Sequence, residues 1–156
     1  MQVSASVSPS IDIRLVRDDE RRILEPMMTS YLKVFGSESA YPDLDTYWSE
    51  NTRFPYFLLQ DAKAIGFALV QEVKAGVLEL VEFYVIENMQ SKGYGRAAAV
   101  AVFAAHAGSW RIGVRKDNIQ GFAFWASFFA PHTNVQITQH AEPPALIYEF
   151  KPQREA

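Results

Sequence analysis

The chain has 156 residues, of which 49% are hydrophobic and 21% are charged, and this length and balance suit one folded domain with a buried core. A formal net charge of -3 argues against a basic surface for nucleic acid, and the absence of cysteine excludes disulfides, thiolate nucleophiles and cysteine-based metal sites. No apolar stretch reaches the roughly 20 residues of a membrane helix, and the polar start lacks the features of a secretory signal, so we expect a cytoplasmic protein with a flexible N-terminus over 1–10 and a single domain over 11–156.

The first predicted elements are a strand and a helix. Residues 11–16 alternate apolar and polar side chains, which is the pattern of a half-buried strand. Asp18 or Asp19 is placed to cap a helix that runs to about Phe35 and carries apolar side chains along one face. Pro26 interrupts that pattern, so we expect the helix to start late or to kink at the proline.

The middle of the chain predicts a hairpin and a central strand. A loop over 36–42 and a short helix over 43–50 lead into two apolar stretches, 54–60 and 64–73, which a three-residue turn separates as in a hairpin. Residues 77–86 then form a long strand with apolar side chains on both faces, as expected in the centre of a sheet.

A helical crossover follows the central strand. A polar loop over 87–92 precedes an alanine-rich helix over 93–106, and the next strand covers 110–114. Because a helix joins this strand to the central one, the two strands should be parallel.

The end of the chain predicts one more helix and a hairpin. Asp117 or Asn118 is placed to cap a helix that ends near Phe129, and the strands 135–138 and 145–150 pair across a proline-containing turn. The predicted order is therefore β-α-α-β-β-β-α-β-α-β-β, which indicates an α/β (α+β) domain with a mixed, mostly antiparallel sheet.

The most informative segment is Gln90–Arg96, which joins the central strand to the alanine-rich helix. Gly93 and Gly95 let the backbone turn sharply and approach a ligand closely. The first N–H groups of a helix lack internal partners and lie at the positive end of its dipole, so a phosphate is their natural ligand. Lys92 and Arg96 add positive charge to the same segment.

Three interpretations of this segment are open. The glycines could only shape a turn. Gly93, Gly95 and Ala98 also satisfy the G-x-G-x-x-A pattern of a dinucleotide site, with Asp117 about 20 residues further on, although that pattern needs its first glycine directly after a strand and six residues, 87–92, intervene here. The third interpretation is a site for an acyl-coenzyme A.

The segment Gln90-x-x-Gly93-x-Gly95 resembles the (Arg/Gln)-x-x-Gly-x-(Gly/Ala) pyrophosphate loop of GNAT acetyltransferases. Val85 stands where that family has a valine at the end of the preceding strand. The order of elements also fits the family. The resemblance therefore implies a GNAT-like sheet whose parallel strand pair is splayed and whose two faces are covered by helices.

The resemblance continues in the following helix. Asn118-x-x-Gly121-x-x-Phe124-Trp125 is similar to the family's Asn-x-x-Ala-x-x-Leu-Tyr segment, and the matching elements cover roughly residues 65–129. Trp125 departs from the tyrosine with which many relatives protonate the leaving thiolate. An indole is a far weaker acid, so we expect Trp125 to pack against the thioester, with Phe124 pointing to the core on the opposite side.

The resemblance implies that acetyl-coenzyme A is the cosubstrate and that its acetyl group passes to an amine. The pantetheine arm would lie between the splayed strands, and backbone donors would stabilise the developing oxyanion. The residues implied to bind the coenzyme are Tyr84, Val85, Ile86, Gln90, Ser91, Lys92, Gly93, Tyr94, Gly95, Arg96, Asn118 and Trp125.

Attack by an amine needs a base, because an amine with a pKa near 10 is mostly charged at neutral pH. Glu79 and Glu82 on the central strand are the candidates, and a regular strand would point them to opposite faces unless a bulge intervenes. The resemblance favours Glu82, since many relatives carry an acid three residues before the Val85 position. Either carboxylate could instead be solvated or salt-bridged. Tyr84 or water could supply the proton that the thiolate needs.

The acceptor is expected to be an amine of a small molecule or peptide, and its identity stays open. The family builds its acceptor site partly from the first two helices and nearby loops. The aromatic residues there are Tyr31, Phe35, Tyr41, Tyr47, Trp48, Phe54 and Tyr56, and the acidic ones are Glu38, Asp43, Asp45 and Glu50. This mixture suits a cationic amine, and it equally suits aromatic core residues below a solvated acidic face.

Two rival functions remain on the same fold. The domain could bind acyl-coenzyme A as a sensor or interaction module, or it could transfer a longer acyl group, although Trp125 would narrow the gap and so favours acetyl. Neither nucleic acid nor a membrane is an expected partner, and the sequence is compatible with a homodimer.

Other polar residues carry weaker signals. Arg115 and Lys116 could meet the coenzyme's 3′-phosphate or form a solvated pair. No metal is expected, because the histidines are scattered without metal-ligand spacing and are interpreted as structural: His106, His132 and His140.

Overall fold

A computed structural model describes residues 10–152, so most of the segment predicted to be flexible lies outside the described residues. Its strands are β1 (Asp12–Leu15), β2 (Arg53–Gln60), β3 (Lys63–Lys74), β4 (Val77–Val85), β5 (Ser109–Arg115), β6 (Val135–His140) and β7 (Ala145–Phe150). Its α-helices are α1 (Arg21–Val34), α2 (Thr46–Ser49), α3 (Tyr94–Ala104) and α4 (Ile119–Phe129). The order of elements predicted from the sequence is confirmed.

The strands form one sheet in the order β1-β2-β3-β4-β5-β7-β6. Neighbours pair antiparallel except for β4 and β5, which α3 joins and which are parallel as predicted. The β2–β3 turn places both Asp61 and Ala62 at positive φ, which closes the hairpin within two residues. The sheet is mixed and mostly antiparallel, which confirms the predicted fold class.

The parallel pair is splayed. Its ladder contains only three residue pairs, from Val77 opposite Ser109 to Glu79 opposite Arg111. β4 continues to Val85, while β5 continues along β7 instead. Within the described residues, no strand pairs with β4 on this side beyond Glu79, so a gap opens in the middle of the sheet.

Helices cover both faces of the sheet and divide the core into two clusters. On one face α3 and α4 pack against β4 and β5, with Val102, Trp110 and Phe129 among the buried residues. On the other face α1 and α2 pack against β2 and β3, through residues such as Leu24 and Phe67. The gap between β4 and β5 therefore lies between two helical layers.

The start of α1 differs from the prediction. A 3-10 turn over Asp18–Glu20 precedes a helix that begins at Arg21 and runs through Pro26, so the expected late start is wrong. Neither predicted aspartate caps it. Glu20 holds this turn instead, accepting the backbone N–H of Arg17 at 3.0 Å and both terminal nitrogens of the Arg14 guanidinium. These bonds hold the pKa of Glu20 down to about 2.

Among residues 10–152, no helix combines the length and apolar character needed to cross a bilayer. No group of three or more acidic or histidine side chains is gathered there as a metal site would require.

Candidate active site

The end of β4, which pairs with β3 but has separated from β5, carries the residues that the sequence singles out for chemistry. A register shift in the β3–β4 pairing sets Leu69 opposite Glu82 but Val70 opposite Leu80, so β4 contains one extra residue at Val81. The bulge lies just beyond Glu79, the last residue of β4 that pairs with β5, and bulges bend a strand and increase its twist. Its position next to Glu82 re-aims that carboxylate.

The bulge places Glu79 and Glu82 on the same face of the sheet. Directly opposed residues share a face, and the partners of the two glutamates, Gln71 and Leu69, lie two positions apart on β3. Leu69 belongs to the core cluster beneath α1 and α2, so both carboxylates lie on that side. The regular alternation that would separate them is broken.

Glu82 is half-buried and hydrogen-bonded at both carboxylate oxygens. The Tyr31 hydroxyl donates to Oε1 at 2.6 Å, and the Tyr41 hydroxyl donates to Oε2 at 2.7 Å. Burial raises the pKa of Glu82, the two phenol bonds lower it, and the charge of Glu79 raises it again; the net direction is upward. A carboxyl with a raised pKa is better suited to accept a proton near neutral pH.

Glu79 has a different environment. It is the last residue of β4 that pairs with β5, and its Oε1 lies 3.8 Å from Nε of Arg111. It therefore sits where the sheet is closed, beside a guanidinium. This ion pair corresponds to the salt-bridged alternative considered for the two carboxylates, whereas Glu82 lies where the strands have separated.

The close approach of β3 supports the end of β4. A Cβ on Gly66 would collide with the carbonyl oxygen of Tyr84, so only glycine fits there. Ile86 N–H donates to the carbonyl of Ile65 at 2.8 Å, which holds the strand end against β3. The other edge of β4 faces the gap.

The loop after β4 is bound back onto the strand. Gln90 Nε2 donates to the Val85 carbonyl at 2.6 Å, and both Ser91 and Gly93 adopt positive φ, at 61° and 83°. Gly93 is the N-cap of α3, and no side chain of the described residues caps this end of the helix. The first N–H groups of α3 thus remain available to an anion, as the glycine pattern predicts.

The side chains at the start of α3 have partners in other elements. Arg96 donates to the carbonyl of Ser127 at 3.2 Å and lies over the Phe128 ring at 5.1 Å, so its charge is directed at α4 rather than at the loop. Tyr94 accepts a hydrogen bond from Gln60 at 2.9 Å. These partners lie in other elements, and nothing in the local motif specifies them.

Gly95 has a packing role as well as a place in the loop pattern. A Cβ at this position would lie 3.0 Å from Cε1 of Phe124, so the absence of a side chain lets α3 pack closely on α4. Lys92 is exposed and carries its positive charge on the loop itself. Arg115 forms an ion pair with Asp117 at 2.8 Å.

Asn118 and Trp125 belong to the start and the body of α4. Asn118, one of the two residues predicted as the cap, is the N-cap, and its Oδ1 accepts the Gly121 N–H at 3.1 Å. Trp125 is only 6% exposed, and its ring lies 5.5 Å from that of Phe83 on β4. Phe124 does not point to the opposite side, because its ring contacts both Phe83 and Trp125. Phe83, Phe124 and Trp125 thus form an aromatic wall, in which Phe124 is more exposed than Trp125.

A cleft of about 990 Å³ runs from α1 to the loop. It brings together three of the predicted residues, Tyr84, Ile86 and Gln90, with the exposed side of α1. The lining residues that the sequence reasoning missed are Pro26, Met27, Ser30, Lys33, Val34, Glu87, Asn88 and Gln120. Their convergence depends on how α1 lies across the sheet, for which no local sequence signal exists.

The aromatic residues predicted for the acceptor site divide between the two faces. Tyr31 and Tyr41 reach Glu82, and the ring of Tyr31 also contacts that of Tyr84 at 5.5 Å. Phe54 and Tyr56 instead lie in or against the cluster beneath α3 and contact His106 there. The acceptor-site prediction is wrong for these two residues.

The predicted acidic residues are in part neutralised. Asp45 forms an ion pair with Arg21 at 2.6 Å, and Glu50 forms one with Arg53 at 3.6 Å. These pairs support the interpretation of a solvated, salt-bridged acidic face. Glu82 is the carboxylate that the aromatic residues surround.

Comparisons with solved structures agree on the fold. The acetyltransferase from Thermus thermophilus has a TM-score of 0.74 at 20% identity, covering 93% of this chain and 99% of that one. AAC(6')-Ib in complex with ribostamycin and coenzyme A has a TM-score of 0.69 at 15% identity, covering 91% and 93%. PaiA N-acetyltransferase from Thermoplasma acidophilum in complex with coenzyme A has a TM-score of 0.60 at 16% identity, covering 92% and 99%.

The sequence comparison identifies the family. No curated protein is significantly similar to the chain. Residues 20–129, which are more than half of it, match the acetyltransferase (GNAT) family. This range contains the splayed strands, the glycine loop, Glu82 and the whole of α4. The chain therefore belongs to the GNAT acetyltransferase family.

Proposed function

We propose that the protein transfers an acetyl group from acetyl-coenzyme A to an amine, with Glu82 as the general base. The observation that carries this proposal is the placement of a half-buried carboxylate, held by two phenols, at the point where β4 separates from β5. A proton acceptor with a raised pKa beside an open strand edge is what amine acetylation needs.

The residues present fit coenzyme A. The gap beyond Glu79 leaves one edge of β4 without a neighbouring strand in the described chain, and a pantetheine arm can lie along such an edge. The uncapped start of α3 offers N–H donors, and Gly93 keeps the backbone there free of a side chain. Lys92 supplies a nearby cation for the phosphates. When bound, acetyl-coenzyme A supplies the acetyl group as an activated thioester.

The role of Glu82 follows from the charge of the acceptor. An alkyl ammonium with a pKa near 10 must lose a proton before it can attack. Glu82 would take that proton while its carboxylate remains held by the two phenols. Tyr84, which lines the cleft, is the proposed proton donor to the departing thiolate, with water as the alternative. Trp125 would contribute an apolar wall rather than a proton.

The acceptor is proposed to be a cationic amine that enters through the cleft beside α1. Aromatic rings surround Glu82, which suits an ammonium group by charge and by cation–π attraction. Among the structural neighbours, AAC(6')-Ib is bound to ribostamycin together with coenzyme A.

A second candidate function is an acyl-coenzyme A sensor or interaction module. Trp125 favours it, because the residue that occupies the family's tyrosine position is buried and carries no acidic hydroxyl. The two functions differ in one product, the acetylated amine.

The test is the release of free coenzyme A thiol from acetyl-coenzyme A, measured with a panel of amines that includes polyamines, aminoglycosides, amino acids and peptide N-termini. Amine-dependent release, with the acetylated product identified by mass spectrometry, supports the enzyme. Calorimetric binding of the coenzyme without release for any amine would support the sensor instead.

A further inference from the structure

The carboxylate of Glu82 is clamped by two donors from separate segments. Tyr31 lies on α1, 51 residues away in sequence, and Tyr41 lies in the loop between α1 and α2, 41 residues away. Each donates to a different oxygen, at 2.6 and 2.7 Å. Hydrogen bonds this short to an ionised acceptor are of the charge-assisted kind. We call these two tyrosines the phenol clamp.

We propose that Tyr31 and Tyr41 are positioning residues that keep Glu82 ionised and aim its remaining lone pairs at the acceptor amine, an inference that rests on the proposed role of Glu82 as base. A carboxylate offers about four acceptor sites, and the phenol clamp fills two of them. The other two remain for the ammonium proton. The clamp thus fixes the direction of the base without blocking it.

The charge balance at Glu82 shows why the clamp is needed. Burial and the charge of Glu79 on the same face both favour the protonated carboxyl. Tyr47 of α2 belongs to the core cluster on this face of the sheet, and the guanidinium of Arg53 on β2 lies 5.4 Å from the centroid of the Tyr47 ring. Within the described residues, the two phenols are the groups that hydrogen-bond to the carboxylate, and these bonds stabilise its charge directly.

The ring of Tyr31 is held by its neighbours. It packs edge-on against Phe35 at 5.0 Å, Phe67 at 5.6 Å and Tyr84 at 5.5 Å. Tyr84 lines the cleft, so Tyr31 links the wall of the cleft to the base. A tyrosine fixed in this way can hold the carboxylate in one rotamer, since its own ring has little freedom to move.

The experiment measures the pKa of Glu82 directly. The full chain is labelled with ¹³C at the glutamate side-chain carboxyl, and the Glu82 signal is assigned by its absence in Glu82→Gln. The pKa is then read from the chemical shift in Tyr31→Phe, in Tyr41→Phe and in the double variant. Tyr148→Phe is the matched control, because that buried tyrosine belongs to the core cluster on the other face.

We expect each clamp variant to raise the pKa of Glu82 by about one pH unit or more, the size expected for losing a hydrogen bond to a charged group, and the double variant to raise it further. The acid limb of kcat/KM should move to higher pH by the same amount, with the KM for acetyl-coenzyme A unchanged. An unchanged or lowered pKa in both single variants would overturn the inference. Failure of the proposed function would be seen separately, as a wild-type protein that acetylates no amine, and the carboxyl titration needs no activity.

Discussion

Replacing Glu82 with glutamine removes the charge of the side chain while keeping its size. Glutamine has one carbonyl oxygen, so it can accept from only one of the two phenols, and the other hydroxyl then faces an amide that donates. A buried donor left without an acceptor costs about 1–3 kcal/mol, so the free energy of unfolding should fall by no more than that. The fold should survive.

The effect of Glu82→Gln on turnover should be larger. Loss of a general base lowers the rate by roughly 10²–10⁴-fold, and coenzyme affinity should barely change because the loop and α3 are untouched. Turnover of the variant should rise about tenfold per pH unit towards the amine's own pKa near 10, since the acceptor then deprotonates unaided.

Steady-state kinetics between about pH 6 and 10, with one accepted amine, measure this effect across the range in which the acceptor titrates. Glu79→Gln is the comparison, because it also neutralises a carboxylate on the same face but one that pairs with Arg111. Normal turnover in Glu82→Gln together with a strong loss in Glu79→Gln would refute the assignment of the base. Equal, small losses in both variants would show that neither carboxylate accepts the proton.

Three further predictions concern the loop, the aromatic wall and His106. Gly93→Val should abolish coenzyme binding in calorimetry, because a β-branched residue is strained at a φ of 83°; unchanged affinity would exclude the loop as the phosphate site. Trp125→Ala should lower the free energy of unfolding by about 3–5 kcal/mol in urea titrations, as for other large buried aromatics. Trp125→Phe should lower it clearly less, because an aromatic ring is kept. Equal losses in the two variants would show that packing of the ring at position 125 does not stabilise the fold. Burial lowers the pKa of His106, whose Nε2 lies 2.7 Å from the Tyr56 hydroxyl, so its contribution to stability is complete above its ordinary pKa of 6.5 and is lost as the pH falls towards the lower folded value. In His106→Gln, the free energy of unfolding measured with urea should depend less on pH across that interval. An unchanged pH dependence would contradict this account of His106.

Local pattern is sufficient to predict most of the fold. Alternation, helical periodicity and turn residues predict the order of all elements, and the parallel pair follows from the single helix that joins β4 to β5. The uncapped start of α3 is predictable because its cause is local, namely two glycines at a helix N-terminus. Asn118 is predictable as a cap for the same reason.

The details that decide the chemistry depend on contacts between distant segments. The bulge at Val81 arises from pairing with β3, and it reverses the expected separation of Glu79 and Glu82. Tyr31 and Tyr41 can be assigned to an aromatic neighbourhood from the sequence, but their bonds to one carboxylate require the packing of α1 across the sheet. No local sequence pattern encodes these distances.

The side chains of α3 and α4 illustrate the same limit. The charge of Arg96 in the glycine segment predicts a phosphate contact, and that remains a prediction. The partners of its side chain, a backbone carbonyl and an aromatic ring of α4, are not evident from the sequence. Trp125 and Phe124 are predicted on opposite sides, yet both meet Phe83 because α4 presents two adjacent residues to the end of β4. Tertiary packing determines these side-chain contacts.

The most direct test of the central claim is a crystal structure of the protein with coenzyme A. We predict a pantetheine arm between β4 and β5, phosphates on the N–H groups at the start of α3, and a sulfur on the side of the gap where Glu82 and the phenol clamp lie. A coenzyme bound elsewhere on the chain, or one whose sulfur lies away from Glu82, would contradict this assignment.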